Sequence, residues 1–405
     1  MKDVLFIQFY SRIENINPRF KGQSIYELCN GFSDTYDLCK SKGDFLWVNH
    51  SKQLKGYGNN EQIDIDISLP INQGTVYVCA YYLSQLYQAY KWALLYPDIK
   101  FIIGGPSANP KTFIVDYNIF PSNMTITEDT VEEYFNVPNF SYPWKLELPD
   151  EPHDMWLTYS YTLRSSCYWG KCSFCNQSQE TQGTRERPKI NFEFEDVQYD
   201  GKQRVNLYTP SMTAAQLKVL FYKLEYKEDV RYDIYLRGNK SERNALKEIF
   251  ETRTSQFPQT KFFIGVEFPS EKMLLHMNKN ATVDGILKTI NMISQYGNED
   301  IQLSLSFILG WNNFDNNDID CLNDFLNKLP YDKIKISFSV NLLTARPHTY
   351  VFDNYEKKRK LYIGPFFYGF MPLISDKQML YSKQAINILF NQPVTVFDWH
   401  KIRNM

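Results

Sequence analysis

Cys167, Cys172 and Cys175 lie within nine residues, in Leu163-Arg-Ser-Ser-Cys-Tyr-Trp-Gly-Lys-Cys-Ser-Phe-Cys-Asn176. Three thiolates on one short loop around Gly170 and Lys171 can converge on a point, and thiolates are preferred ligands of iron–sulfur clusters and of zinc. Three ligands rather than four leave one iron of a [4Fe–4S] cluster open to a substrate or cofactor. The competing reading is a structural Cys3His zinc module. The five histidines, His50, His153, His276, His348 and His400, have no metal-ligand spacing, and no second ligand pair lies near the loop.

The elements around the loop alternate between strand and helix. Leu157–Arg164 reads as a strand running straight into the cysteines. Further β-like runs at 205–209, 232–237, 261–267, 301–309 and 333–343 are separated by helical stretches at 214–224, 242–252, up to 296, and 318–329. Six strands in such a series predict a parallel barrel or partial barrel, with functional groups at the carboxyl ends of the strands. Those ends carry Tyr208, Thr209, Arg237 and Glu267.

Upstream, 4–9, 44–48 and 75–79 read as strands, and 84–95 as a helix. Lys100-Phe-Ile-Ile-Gly-Gly-Pro106 reads as a buried strand ending in a glycine turn. This is a βαβ unit, hence a second parallel sheet. Gly104 and Gly105 would let the backbone approach a ligand closely. A Pro- and acid-rich break over 136–155 separates the two series. The expected α/β organisation is a Rossmann-like domain at 1–145, a six-stranded (β/α)6 partial barrel at 146–345 and a C-terminal extension at 346–405.

Cys triplet, strand series and downstream motifs together resemble the radical S-adenosylmethionine (SAM) superfamily. Ile264-Gly-Val-Glu-Phe-Pro-Ser-Glu-Lys-Met-Leu-Leu-His-Met-Asn-Lys-Asn-Ala-Thr282 is similar to the fourth strand and following helix of members that carry a cobalamin-binding domain. Pro97-Asp-Ile-Lys-Phe-Ile-Ile-Gly-Gly-Pro106 is similar to a late strand of that N-terminal domain. The resemblance implies a [4Fe–4S] cluster on Cys167, Cys172 and Cys175, with SAM on the open iron and Phe174 as the aromatic residue before the last cysteine. It also implies Glu267 at the SAM ribose or amino group, a bidentate Arg237 at its carboxylate, and Tyr208 and Thr209 near the methionine amino group. Cobalamin would lie against Gly104, Gly105 and Tyr82. The implied activity is a cobalamin-dependent methyltransferase acting on a peptide or natural-product intermediate. The alternative is a peptide epimerase or cross-linking enzyme that has lost cobalamin.

The chain departs from the family pattern in three places. Its loop is Cys-x4-Cys-x2-Cys, one residue longer than usual. Gly310-Trp-Asn replaces the usual Gly-x-Pro turn, and Thr209-Pro210 stands where the family often has acids. No Asp-x-His-x-x-Gly is present to supply a lower cobalt ligand, as is general for the family's radical SAM members.

Composition narrows the partners. The 405 residues are 43% hydrophobic and 22% charged, with net charge −2, which gives no basic footprint for nucleic acid. No apolar run approaches the roughly 18 residues that span a bilayer, and Met1–Phe9 reads as a first strand rather than a signal peptide. Seven cysteines, an odd number with three clustered, argue for a reducing cytoplasm over a secreted disulfide framework. The expected partners are a peptide or small-molecule substrate and an electron donor such as flavodoxin or ferredoxin.

Overall fold

The structure is a computed structural model and describes residues 4–13, 25–28, 43–49, 69, 71, 73–80, 83–105, 119–129, 134–135, 156–162, 167, 169–175, 203–208, 212–253, 255–297 and 300–398. The fold is α/β with two compact units. The first comprises Met1–Ser160, Glu193–Arg204 and Leu361–Tyr368; the second comprises Tyr161–Phe192, Val205–Lys360 and Gly369–Met405.

In the first unit, β1 (Val4–Ile13) pairs in parallel with β3 (Gly43–Asn49) and with β4 (Thr75–Cys79). From β4 the sheet continues in parallel to β5 (Lys100–Gly104) and β6 (Met124–Ile126). Numbered among themselves, these parallel strands lie in the order 2-1-3-4-5, a doubly wound arrangement. The far half of β1 pairs antiparallel with β2 (Ile25–Leu28), which in turn pairs in parallel with β7 (Trp156–Thr162).

Both faces of this sheet are apolar, as a parallel sheet covered on both sides requires. On one face Leu5, Ile7, Phe9, Val76, Val78, Phe101 and Ile103 pack against α1 (Leu83–Leu95) through Leu86, Ala89, Trp92 and Ala93. Phe9 and Trp92 stack with centroids 6.0 Å apart. On the other face Phe6, Tyr77, Cys79 and Ile102 pack with Tyr134 and Phe135. Asn123 closes the end of α1, donating to the carbonyls of Ala93, Tyr96 and Ile99 at 2.8–3.0 Å.

The sheet of the second unit is wound singly. Its order is β8 (Gln203–Tyr208), β9 (Val230–Leu236), β10 (Thr260–Glu267), β11 (Ile301–Leu309), β12 (Lys335–Leu342) and β15 (Thr395–Asp398). The ladders from β9 to β15 are parallel. Each crossover returns to the next strand, which is barrel-type winding. The crossovers are α2 (Ala214–Lys223), α3 (Lys240–Thr252), the pair α4 (Glu271–His276) and α5 (Val283–Tyr296), and α6 (Asn316–Asn327). Capping boxes start three of them: Thr213 with Gln216, Asn239 with Glu242, and Asp315 with Asp318. A box joins two otherwise orphaned backbone donors to side chains, so each helix begins at a fixed residue after its strand.

The strands read from sequence are present with ends within two residues, except that β1 runs four residues further, to Ile13. Four features differ. The stretch between β10 and β11 holds two helices, because Asn278 and Asn280 take positive φ of 52° and 55° and break the helical run. β2 is a four-residue strand that was not anticipated. Residues 346–405 are not a separate extension: 361–368 belong to the first unit and 369–405 to the second. There α7 (Tyr350–Asn354) and a hairpin of β13 (Lys357–Ile363) and β14 (Phe366–Pro372) interrupt the alternation. Then α8 (Asp376–Phe390) carries the chain to β15, which extends the parallel sheet. The first unit likewise runs to Ser160 rather than 145, because β7 pairs with β2.

Candidate active site at the strand ends of the second unit

Arg237 is the first residue after β9, and Glu242 fixes its backbone. One carboxylate oxygen of Glu242 accepts the N–H of Arg237 and of Gly238, each at 2.9 Å, besides capping α3. Glu242 is almost fully buried, and burial pushes its carboxyl above the ordinary range although the backbone donors and Arg237 oppose this. The Arg237 guanidinium, also buried, donates to the carbonyl of Lys279 and lies over the ring of Trp169 at 5.2 Å.

Glu267 ends β10 in the left-handed region, at φ 59°. A non-glycine residue there is held at a cost of about 1–3 kcal/mol and is a recognised sign of a functional turn. The ladder to β11 slips by one residue at this point: Gly265 pairs with Ser306, and Glu267 with Phe307. The bulge re-aims the Glu267 side chain, which folds back over Gly265 to meet the Lys279 ammonium at 2.5 Å. Both partners are buried, at 8% and 5% exposure. A Cβ on Gly265 would collide with the Glu267 carboxylate and stand 2.6 Å from Lys279 Nζ. A side chain at 265 would have to displace the ends of both partners of the ion pair.

The cysteine loop is tied to the turn that carries Lys279. Ser173 N–H donates to Met277 O at 2.9 Å, and Val351 N–H donates to Ser173 O at 3.1 Å. Trp169 Nε1 donates to Asn278 O at 2.8 Å, and Asn278 Nδ2 donates back to Lys171 O at 2.9 Å. Cys175 N–H reaches Cys172 O at 3.2 Å. Burial pushes the Cys172 thiol up, Lys279 and Arg237 pull it down, and Glu267 and Cys167 add to the rise. Cys172 is thus within electrostatic reach of all four.

Among the expected residues, Cys167, Cys172, Cys175, Arg237 and Glu267 come to this one region. The three cysteines are half-buried, but among the described residues no group of three His, Cys, Asp or Glu is gathered as a metal site. Phe174 packs edge-on against Trp311, centroids 5.9 Å apart, and Trp311 meets His276 in the same way at 5.8 Å. Tyr208 closes β8, where only its backbone is described; Thr209 and Tyr82 lie outside the described residues. Four residues here were missed from sequence: Glu242, Lys279, Trp169 and Asn278. Lys279 and Asn278 had a signal in the Met277-Asn-Lys279 stretch already singled out; Trp169 had none beyond the longer loop.

No protein family model matches the chain, and no curated protein matches it. Solved structures do. The chain is similar in structure to the cobalamin-dependent S-adenosylmethionine radical enzyme OxsB. With aqua-cobalamin and SAM bound, that enzyme is 14% identical, with 82% of this chain and 52% of that chain covered at a TM-score of 0.42. Its apo, selenomethionine-labelled form is 12% identical over the same shares, at 0.44. The chain spans about half the length of that enzyme.

The residue types of the second unit suit a cluster and SAM, while the three cysteines themselves are not gathered on one point. Three thiols share one loop, and Lys279 and Arg237 offset part of the rise that burial imposes on the Cys172 thiol. Between the last two cysteines Ser173 Oγ is buried and makes no hydrogen bond among the described residues, so it can donate to a sulfur acceptor. Buried groups of both signs at the strand ends also complement the ammonium and carboxylate of an amino acid.

The first unit does not fit cobalamin at the expected glycines. A Cβ on Gly104 would collide with the Tyr77 hydroxyl, so Tyr77 already fills the space that this glycine leaves. Tyr77 is 1% exposed and packs edge-on or tilted against Phe6, Tyr134 and Phe135 at 5.4–6.0 Å. Gly105, at φ 92°, turns the chain where a side chain would stand 2.8 Å from Ala80 O and 3.0 Å from Cys79 Sγ. Both glycines serve internal packing.

Proposed function

We propose that the chain is a radical SAM enzyme that acts on an organic substrate at the strand ends of its second unit. The observation that carries this reading is the placement of Cys172. It stands on a three-thiol loop that hydrogen bonds tie to the turn carrying Lys279, whose ammonium meets Glu267 at the end of β10, while Arg237, just after β9, lies over Trp169 of the same loop.

Cys167, Cys172 and Cys175 would hold a [4Fe–4S] cluster, which when bound supplies the electron that cleaves the SAM sulfonium to methionine and a 5′-deoxyadenosyl radical. The chain supplies orientation and exclusion of water. Glu267 and Lys279 offer a buried carboxylate and ammonium to the two charges of the methionyl end or to the ribose hydroxyls. Arg237 holds the Lys279 turn in place. Ser173 Oγ supplies a donor between the cysteines, of the kind that tunes cluster potential. A flavodoxin or ferredoxin is the proposed source of electrons, and a peptide or natural-product intermediate the proposed substrate.

Of the two outcomes implied by the sequence, methyl transfer through cobalamin needs a corrin in the first unit. Tyr77 beneath Gly104 favours the other, hydrogen abstraction leading to epimerisation or cross-linking of a peptide without cobalamin.

Anaerobic reconstitution with iron and sulfide tests the reading. The expected result is a brown protein with about four irons per chain that releases 5′-deoxyadenosine from SAM under dithionite. Alanine at Cys167, Cys172 or Cys175 should abolish both properties, and alanine at Cys321 neither. A colourless protein with one zinc and no iron uptake would establish the zinc module instead.

A further inference from the structure

The longer cysteine loop has a structural counterpart in Trp169. A loop of Cys-x4-Cys must place one additional residue without displacing its thiols. Here Gly170 takes a positive φ of 58° and the Trp169 side chain turns toward the 277–280 turn. Its indole N–H donates to Asn278 O at 2.8 Å, and the Asn278 side chain returns a bond to Lys171 O at 2.9 Å. Asn278 can do both because its left-handed backbone, φ 52°, presents carbonyl and amide to the same loop. The indole face lies within 5.2 Å of the Arg237 guanidinium and 5.4 Å of Lys171 Nζ, cation–π range for both. Arg237 in turn donates to Lys279 O, the residue whose ammonium faces Glu267.

We propose that Trp169 is a positioning residue. Clasped by Asn278 and covered by Arg237, it takes up the additional loop residue and fixes Cys172 against Lys279 and Glu267. This rests on the cluster reading for its consequence, but the clasp itself belongs to the chain without any cofactor.

The test therefore begins on the cofactor-free, reduced chain. Iodoacetamide labelling of Cys172, read by mass spectrometry, reports opening of the loop. Loss of one such hydrogen bond should speed labelling by about 3- to 10-fold in Trp169→Phe, which keeps an aromatic face and loses the donor. Asn278→Gly, which keeps the left-handed backbone and loses the returning amide, should do the same. Labelling of Cys321 serves as the control and should not change, nor should the thermal midpoint of either variant. In the reconstituted protein, Trp169→Phe should retain iron and sulfide but show an altered electron paramagnetic resonance spectrum of the reduced cluster and a weaker change on adding SAM, effects that a merely structural role would not produce. Unchanged Cys172 labelling in both variants, or labelling that rises equally at Cys321, would overturn the proposal. If wild type takes no cluster while the variants still label faster, the cluster reading fails and the clasp stands.

Discussion

The Lys279 ammonium and the Glu267 carboxylate meet 2.5 Å apart over the α-carbon of Gly265, in space that any other residue would fill. The pair depends on three backbone features at once: the missing side chain at 265, the bulge at 266, and the left-handed turn at 267. Each has a separate experimental handle.

Gly265→Ala should separate the pair with little effect on the strand. Overpacking of this kind costs about 1–3 kcal/mol. If the pair binds SAM, affinity should fall by about tenfold or more. Equilibrium dialysis with reconstituted protein measures it; SAM binding equal to wild type would mean that the pair is structural only.

Lys279→Met leaves the Glu267 carboxylate buried without its partner. Breaking one side of a buried pair costs about 3–5 kcal/mol. The double variant Lys279→Met/Glu267→Gln removes both charges and should recover most of that loss. Urea unfolding of the cofactor-free chain gives the cycle, and a double variant no more stable than the single would contradict the pairing.

Glu242 predicts a dependence on pH. Its folded carboxyl is raised by burial above the ordinary 4.5, so the folded state binds the proton more tightly than the unfolded state. Stability linked to this group is therefore fully present below about pH 4.5 and lost as pH rises through the folded value. Glu242→Gln keeps an oxygen for the Arg237 and Gly238 N–H groups and cannot ionise. Its stability relative to wild type should rise with pH above about 4.5; a difference that stays flat from pH 4 to 8 would show that Glu242 titrates normally.

Much of this was legible in the sequence, for a physical reason. Parallel strands covered on both faces read as apolar runs, and 262–266 was visible as one; 301–309 was visible through the alternation of Leu303, Leu305 and Phe307 with Gln302, Ser304 and Ser306. The thiols, Arg237 and Glu267 were visible because strand ends in a βα series face one way. What was hidden depends on backbone rather than periodicity. Lys279 finds Glu267 only because Asn278 and Asn280 take left-handed turns and β10 bulges, and no hydrophobic pattern encodes those. Arg237 was read as a ligand for the SAM carboxylate; that one of its guanidinium nitrogens donates to the Lys279 carbonyl was not visible. β15 went unseen because four residues are too few to show a period.

Cobalamin provides a prediction for the first unit. Hydroxocobalamin incubated with the chain and passed through gel filtration should leave no stoichiometric corrin absorbance on the protein. Tyr77→Ala, which empties the space beside Gly104, should lower stability by about 3–5 kcal/mol, as aromatic truncation in a core does. Tight one-to-one corrin binding by wild type would restore the methyltransferase reading.

β15 bears on how the second unit is made. β8 to β12 are laid down in the order in which they pair, so each can dock as it leaves the ribosome. β12 is different: its outer neighbour arrives only after α7, the hairpin and α8 have been synthesised. During that interval β12 exposes a row of unpaired backbone donors and acceptors, a ready template for another chain. A nascent chain arrested before Thr395 is thus the species in which aggregation should be sought.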